Sequence, residues 1–397
     1  VFEDQMAAVR AASQSEEPDL AHLTDGLKAE REQGITIDVA YRYFATDKRK
    51  FIIADTPGHI QYTRNMVTGA STADVALILI DARHGVLQQS RRHAYIASLL
   101  GIPHLAVCVN KMDLRDYSEQ VYDEICADFM EFGKTLRFKD IQFFPVSALV
   151  GDNVVSDSEN TPWYDGPNVL GYLETVPVFA DRNFEDFRYP VQYVIRPDLD
   201  YRGFAAEVAA GVIAKGDDVV ALPSGKSSKV TAIDTYDGEL DEAFAGQSVT
   251  IRLEDEIDIS RGDMIVKPDN LPRVTRRFDA HMVWMHERPL DTEKAYLVKH
   301  TTQTVRAQID KVYHEIDMDT LEKKPTDGIE LNDIAKVRLS CHRALYVDDY
   351  QRNRETGAFI VIDSLTNNTV AAGMIVLEGA DQDIGCLLYT SPSPRDL

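Results

Sequence analysis

Residues 51–66 read FIIADTPGHIQYTRNM. The segment begins with an apolar run typical of a strand. The five residues that follow form a nucleotide-switch pattern: Asp55, Thr56, Pro57, Gly58 and His59. A carboxylate at a strand end can hold Mg²⁺ through water, and a glycine amide can closely approach a terminal phosphate oxygen. A histidine after the glycine is placed to orient an attacking water. DxxG alone is common, so other segments must support this interpretation.

Two later segments also follow predicted strands. The apolar run HLAVCV precedes Asn110, Lys111, Met112 and Asp113. A carboxylate in this position can accept hydrogen bonds from guanine N1 and N2, which adenine cannot offer, while the lysine stem packs on the base and the asparagine braces the loop. The run FFPV precedes a third segment, whose backbone amides can meet guanine O6; it consists of Ser147, Ala148 and Leu149.

A fourth segment, REQGITID at residues 31–38, contains Thr36 in a polar stretch before a predicted strand. A threonine hydroxyl in a mobile loop can ligate Mg²⁺ when the γ-phosphate is present, and in this way the loop senses the nucleotide state. The order of the threonine, DxxG, NKxD and SAL segments predicts a switch that binds GTP and Mg²⁺.

The 397 residues contain no phosphate-binding loop of the form GxxxxGK(S/T). Two triplets imitate its end, at 133–135 and 225–227, but Asp128 and Val220 stand where the first glycine is required. Because the amide nest and lysine of such a loop supply much of the affinity for phosphate, we expect negligible GTP turnover by residues 1–397 alone. We also expect the loop to precede Val1.

Strand and helix patterns alternate up to about residue 180, which predicts a doubly wound α/β domain over 1–180. VALILIDA and HLAVCVN are almost continuously apolar and are predicted to be parallel strands buried on both faces. Short strands separated by turns then predict two successive antiparallel β-barrels, over 181–272 and 273–384. The ending at 385–397, with its Ser-Pro repeats, is interpreted as a tail foreign to the fold.

Composition narrows the function classes. With 42 basic and 65 acidic residues the net charge is −23, which disfavours nucleic acid and anionic membranes as partners. The four cysteines show neither CxxC pairs nor metal-ligand spacing, and a reduced compartment is expected. Since no membrane-spanning run or signal sequence is visible, the prediction is a cytoplasmic protein.

A G domain followed by two barrels resembles the translational GTPases of the elongation factor Tu superfamily. Six further segments are similar to one branch of it, the large GTP-hydrolysing subunits of bacterial sulfate adenylyltransferase (ATP sulfurylase). They are TDGLKAEREQGITID, TPWYDG, YPVQYVIRPDLDYRGFA, LPSGKSS, EDEIDISRGD and NRETGAFIVID. The resemblance covers about residues 1–380. The family usually has glutamate after the switch histidine, where this chain has Ile60.

The resemblance implies a heterodimer that activates sulfate for assimilation. A small catalytic subunit forms adenosine 5′-phosphosulfate and pyrophosphate from ATP and sulfate, and GTP hydrolysis on the large subunit is coupled to this uphill reaction. It implies that Thr36 and Asp55 serve Mg²⁺, Gly58 the γ-phosphate and His59 the hydrolytic water. The alternative is an elongation factor Tu-like translation GTPase that binds aminoacyl-tRNA, which the acidic charge disfavours.

Overall fold

The computed structural model describes residues 38–59, 62–178, 182–198, 201–317, 320–326 and 328–377. The predictions made for Thr36, Ile60 and the tail at 385–397 lie outside these ranges. The chain divides into two compact units. Unit 1 comprises Val1–Arg182, Val283–Leu290 and His314–Ala335, and unit 2 comprises Asn183–Met282, Asp291–Tyr313 and Lys336–Leu397.

Within residues 38–59 and 62–178 the structure shows an antiparallel hairpin, a three-stranded parallel sheet and four α-helices. The five strands are β1 (Ala40–Ala45), β2 (Lys50–Asp55), β3 (Val75–Asp81), β4 (His104–Asn110) and β5 (Asp140–Pro145). The helices are α1 (Thr63–Ala70), α2 (Gln88–Leu99), α3 (Glu119–Gly133) and α4 (Val169–Thr175), with a short 3₁₀ helix at Met112–Arg115.

Local sequence explains where these helices begin and end. The Ser118 hydroxyl accepts a hydrogen bond from the Val121 amide at the start of α3, and Asn168 caps α4 through the Gly171 amide at 2.8 Å. Gly101 follows α2 with a φ of 67°, the left-handed conformation predicted for a glycine after a helix.

Among the described segments, no helix combines the length and the apolar character that crossing a bilayer requires.

The parallel sheet packs helices on both faces, as a doubly wound domain requires. On one face, Leu105, Val107 and Val109 of β4 join a core that includes Ile125 and Phe129 of α3. The opposite face forms a second core with α4, made by Ala106, Cys108, Phe144, Val146, Val169, Tyr172 and Val176. The prediction of burial on both faces is therefore confirmed for β4.

For β3 the same prediction is wrong. Ile78 and Ile80 are buried, but Leu77 and Leu79 on the opposite face are 47% and 62% exposed. β3 is an edge strand of the described sheet, and α4 covers the face formed by β4 and β5 without reaching these leucines. A continuous apolar run in the sequence does not show whether the strand lies in the centre or at the edge of the sheet.

The two Gly-Lys-Ser/Thr triplets do not form phosphate loops. Gly133 is the last residue of α3, and Gly225 lies in a turn with a φ of 69° before a strand. A phosphate loop instead connects a strand to the N-terminus of a helix. The prediction that both triplets are unrelated to phosphate binding agrees with these positions.

The first antiparallel barrel consists of an eight-stranded sheet and a separate two-stranded sheet. The eight-stranded sheet begins at Arg188–Pro190 and ends at Tyr193–Ile195, and the Gln192 amide between these two strands donates to the Ala205 carbonyl at 3.0 Å. The strands are β6 (Arg188–Pro190), β7 (Tyr193–Ile195), β8 (Gly203–Glu207), β9 (Val212–Ala214), β10 (Asp218–Leu222), β11 (Lys226–Thr235), β12 (Gly238–Leu240), β13 (Glu242–Phe244), β14 (Ser248–Leu253) and β15 (Met264–Val266).

Seven strands of the described residues form the second antiparallel barrel. It is closed by pairing between Tyr296–His300 and Gln303–Ile316. The strands are β16 (Arg273–Trp284), β17 (Tyr296–His300), β18 (Gln303–Ile316), β19 (Lys323–Lys324), β20 (Ile334–Val347), β21 (Ala358–Ile362) and β22 (Thr369–Val376), and the short helix α5 is Arg354–Gly357.

A buried ion pair joins β6 to the end of β20 within unit 2. The Arg188 guanidinium donates through Nε and Nη2 to the Asp348 carboxylate at 2.8 and 2.9 Å. Arg188 is 2% exposed and Asp348 7% exposed. A charge buried this deeply is tolerated only with its partner, so the pair makes the two barrels depend on each other for stability.

Candidate functional site

The predicted switch lies at the end of β2. Asp55 is the last residue of the strand, Pro57 is buried, and His59 is exposed. The Gly58 carbonyl accepts hydrogen bonds from Gln89 Nε2 at 2.8 Å and His93 Nε2 at 2.9 Å. Helix α2 therefore fixes the backbone of the switch glycine from the side.

The sequence patterns did not predict a role for Gln89 or His93, although their spacing of four residues places them on one face of α2. Burial lowers the pKa of His93, only partly opposed by its hydrogen bond to Gly58, and Arg92 adds to the lowering. A carbonyl can only accept, so His93 carries its proton on Nε2 when it makes this contact. A Cβ atom on residue 58 would lie 2.7 Å from Gln89 Nε2, so a side chain there would displace the contact.

Two loops form the predicted guanine site, and one asparagine connects them. Asn110 Oδ1 accepts from its neighbour's amide at Lys111, at 2.8 Å, and from the Ala148 amide, at 2.9 Å. The Met112 amide donates to the Val146 carbonyl at 3.2 Å, and the Met112 side chain is fully buried. The predicted bracing role of Asn110 thus has a definite geometry: it joins the NKMD and SAL segments.

Polar groups remain available beside these loops. Among the described residues, none forms a hydrogen bond or ion pair with the half-buried Asp113 carboxylate. In the same part of the chain the amide of the exposed Leu149 has no acceptor, whereas the Ser147 amide donates to the Asp152 carbonyl at 3.3 Å. A free carboxylate acceptor and a free amide donor fit the N1, N2 and O6 groups of guanine.

A second connection between the two loops was not predicted. The Tyr117 hydroxyl, shortly after NKMD, donates to Asp152, shortly after SAL, at 2.5 Å. Asp152 also accepts from the Ser158 hydroxyl at 2.7 Å, and Trp163 of the TPWYDG segment donates from Nε1 to the Tyr117 carbonyl at 3.0 Å. The tryptophan was noted from sequence only as part of a resemblance, and the structure gives it a bracing contact.

Lys111 contacts a residue that also lay outside the predictions. Its Nζ lies 2.9 Å from Asp81 Oδ2, at the end of β3. The Arg83 side chain donates to the same carboxylate through Nη2 at 2.7 Å and Nε at 3.0 Å. The hydrogen bond from Arg83 is the main reason why the pKa of Asp81 lies far below its usual range, and Lys111 contributes further.

The magnesium prediction rests on Thr36 and Asp55, of which only Asp55 lies within the described ranges. In those ranges no group of three or more histidine, cysteine, aspartate or glutamate side chains is arranged to hold a metal ion. A single carboxylate is nevertheless a normal share for Mg²⁺ in nucleotide sites, where waters and phosphates supply the other ligands.

Two protein families match parts of the chain. The elongation factor Tu GTP binding domain matches residues 3–194, and the GTP-eEF1A C-terminal domain-like family matches residues 277–376. A crystal structure of sup35 complexed with GDP is 25% identical and has a TM-score of 0.47, covering 85% of this chain and 83% of that one.

Two curated relatives are similar over nearly the whole chain. The sulfate adenylyltransferase subunit 1 of Bacteroides fragilis is 55% identical, over 97% of this chain and 82% of the relative. The protein of the same name from Alteromonas mediterranea is 54% identical, over 99% and 84%. Such identity favours the sulfate-activating branch over the translation-factor alternative. The chain therefore belongs to the sulfate adenylyltransferase subunit 1 family, with an elongation factor Tu-type GTP-binding domain followed by β-barrels.

Proposed function

We propose that this protein is the regulatory subunit of a sulfate adenylyltransferase and that it couples GTP hydrolysis to sulfate activation by a smaller catalytic partner. The partner forms adenosine 5′-phosphosulfate and pyrophosphate from ATP and sulfate. That anhydride is costly to make, and hydrolysis of bound GTP would supply the free energy that drives its synthesis. The observation that carries the proposal is the guanine-type site, where Asn110 joins two loops beside an unpaired Asp113.

Each predicted residue has a role in this proposal. Asp113 accepts from guanine N1 and N2, and the amides of the Ser147–Leu149 segment serve O6, with Leu149 the one left free to donate. The Lys111 stem packs along the base and Met112 anchors the loop in the core. These assignments make the site selective for guanine over adenine.

On the phosphate side, Gly58 presents its backbone to the γ-phosphate and His59 orients the water. Thr56 and Pro57 set the turn that presents them. Asp55 and Thr36 serve Mg²⁺, Asp55 through a water molecule. The hydrogen bonds from Gln89 and His93 to the Gly58 carbonyl support the assignment, because they hold the peptide of the switch glycine in one orientation.

The deciding experiment uses the protein expressed from its complete reading frame together with its catalytic partner. Formation of adenosine 5′-phosphosulfate from ATP and sulfate is measured with GTP, without nucleotide, and with a non-hydrolysable GTP analogue. Of these three conditions, we expect only the one with GTP to raise the amount of product well above the level that ATP cleavage supports. Equal product in all three conditions would refute the coupling.

A matched variant tests whether the switch residues act as assigned. His59→Ala should abolish GTP hydrolysis and GTP-dependent product formation, while guanine nucleotide binding persists because the base-contacting loops are intact. Loss of nucleotide binding in this variant would contradict the role given to His59.

A further inference from the structure

We infer that Asp81 is a positioning residue for the guanine site, holding the Lys111 side chain in place before nucleotide binds. This inference rests on the proposed function, since it concerns the lysine assigned to the base. Asp81 belongs to no motif found in the sequence, and the structure alone connects it to Lys111.

Strand pairing brings the two residues together. β3 and β4 run parallel with Asp81 opposite Asn110, so the residue after Asn110 leaves the sheet beside Asp81. Lys111 has a φ of 64°, which turns its backbone at this point. Its Nζ then reaches Asp81 Oδ2 at 2.9 Å. The contact follows from sheet register and a left-handed turn rather than from proximity in sequence.

The Asp81 carboxylate is itself fixed in orientation. Arg83 donates to it in a bidentate manner, through Nε to Oδ1 at 3.0 Å and through Nη2 to Oδ2 at 2.7 Å. The Arg83 amide donates to Oδ1 at 2.9 Å, and His84 Nδ1 lies 3.6 Å from Oδ2. A paired arginine and carboxylate have a planar, well-defined geometry. Lys111 therefore meets an acceptor that is already oriented.

Holding the lysine in advance has a consequence for binding. The Lys111 side chain is 45% exposed and would otherwise sample many rotamers, whose loss on binding costs free energy. With its ammonium group held by Asp81, the lysine side chain is confined before the ligand arrives. Pre-ordering of this kind improves affinity by reducing the entropy lost when the ligand binds.

The test compares Asp81→Asn with wild type in the complex with the catalytic partner, using a fluorescent GDP analogue. We expect the analogue to dissociate about five-fold faster from the variant, a modest change because the ion pair is partly exposed. Hydrogen exchange at the amides of residues 111–113 in the nucleotide-free complex should also become faster. Asp74→Asn removes an exposed charge at the other end of β3 and should change neither quantity.

A double-mutant cycle separates positioning from a general effect on the fold. In a Lys111→Met background, Asp81→Asn should cause no further increase in the dissociation rate, because Asp81 acts through the lysine. Asp81→Glu should restore part of the wild-type rate.

Two results would overturn the inference: an unchanged dissociation rate in Asp81→Asn, or an equal effect of that substitution with and without Lys111. Failure of the wild-type complex to bind the analogue at all would instead count against the proposed function.

Discussion

Asn110 shows how much one side chain contributes to this site. Its single carbonyl oxygen accepts two backbone amides, one from the residue beside it and one from Ala148, which follows a different strand. Because the strands before both loops are buried, the loops start from rigid points, and the asparagine fixes the remaining freedom between them. The result is a base-reading surface assembled from two distant segments.

Asp113 is the proposed acceptor for guanine N1 and N2. Replacing it with asparagine exchanges two acceptor oxygens for one acceptor and one donor group, which suits the C2 oxygen of xanthine better than the C2 amino group of guanine. We expect Asp113→Asn to weaken GTP binding by at least about 100-fold, because two hydrogen bonds to a charged group are worth about 1.5–3 kcal/mol each.

The Asp113→Asn measurement is a competition titration with GTP and xanthosine triphosphate. The variant should prefer the xanthine nucleotide and the wild type GTP. Asp116→Asn, an exposed neighbour just beyond the 3₁₀ helix, is the control for removal of a charge. Retained preference for GTP in Asp113→Asn would remove this residue from the site.

Among the secondary-structure elements, the first barrel depends on a close approach between two chain segments. Gly211 has a φ of 76° and its amide donates to the Asn183 carbonyl at 2.7 Å. A Cβ atom there would lie 2.3 Å from the Phe187 Cα, a backbone atom that cannot rotate away. Only glycine satisfies both the conformation and the space.

Gly211→Ala should therefore destabilise the first barrel by roughly 2–5 kcal/mol, the sum of left-handed strain and overpacking. Gly216→Ala is the matched control, since Gly216 also has a positive φ, 92°, but its Cβ would meet nothing within 4 Å. This control should lose only about 1–2 kcal/mol from backbone strain. Urea unfolding followed by tyrosine and tryptophan fluorescence gives both values, and equal losses would contradict the steric argument.

The sequence predicted those features that depend on neighbouring residues and missed those that depend on residues far apart in the chain. DTPGH and NKMD each follow an apolar run, and the structure places them at the ends of β2 and β4. The contacts of Gly58 with Gln89 and His93, and of Lys111 with Asp81, join residues about 30 positions apart and depend on sheet register. Asp81 looked like the ordinary end of a strand, and no local pattern indicates its partner.

For the molecule as a whole, the large excess of carboxylates makes acid the relevant stress. Asp363, after β21, accepts hydrogen bonds from Lys294 Nζ at 2.5 Å and from the Leu365 and Thr366 amides at 2.8 and 3.1 Å. The lysine contact is the main cause that lowers the pKa of Asp363 from 3.8 to about 2. Since the folded protein holds this carboxylate ionised, folding is favoured at pH values above its normal pKa.

The stabilising contribution of Asp363 should be complete above about pH 4 and should disappear as the pH falls towards about 2. We therefore expect Asp363→Asn to be less stable than wild type at pH 7 and the difference to shrink as the pH falls through this window. Urea midpoints at pH 7, 4 and 3 measure it, with Asp237→Asn in the exposed turn after β11 as the control. A difference that stays constant down to pH 3 would refute the assignment.

The contrast between closed barrels and an open sheet edge has a consequence for handling the protein in solution. Pairing of β17 with β18 closes the second barrel, whereas β2 exposes Ile52 and Ile53 and the edge strand β3 exposes Leu77 and Leu79. Exposed apolar strands are templates for pairing with other chains. If residues 1–397 are purified alone, self-association should begin at these exposed strands, and replacing Leu79 with lysine should improve solubility more than any change on the barrels.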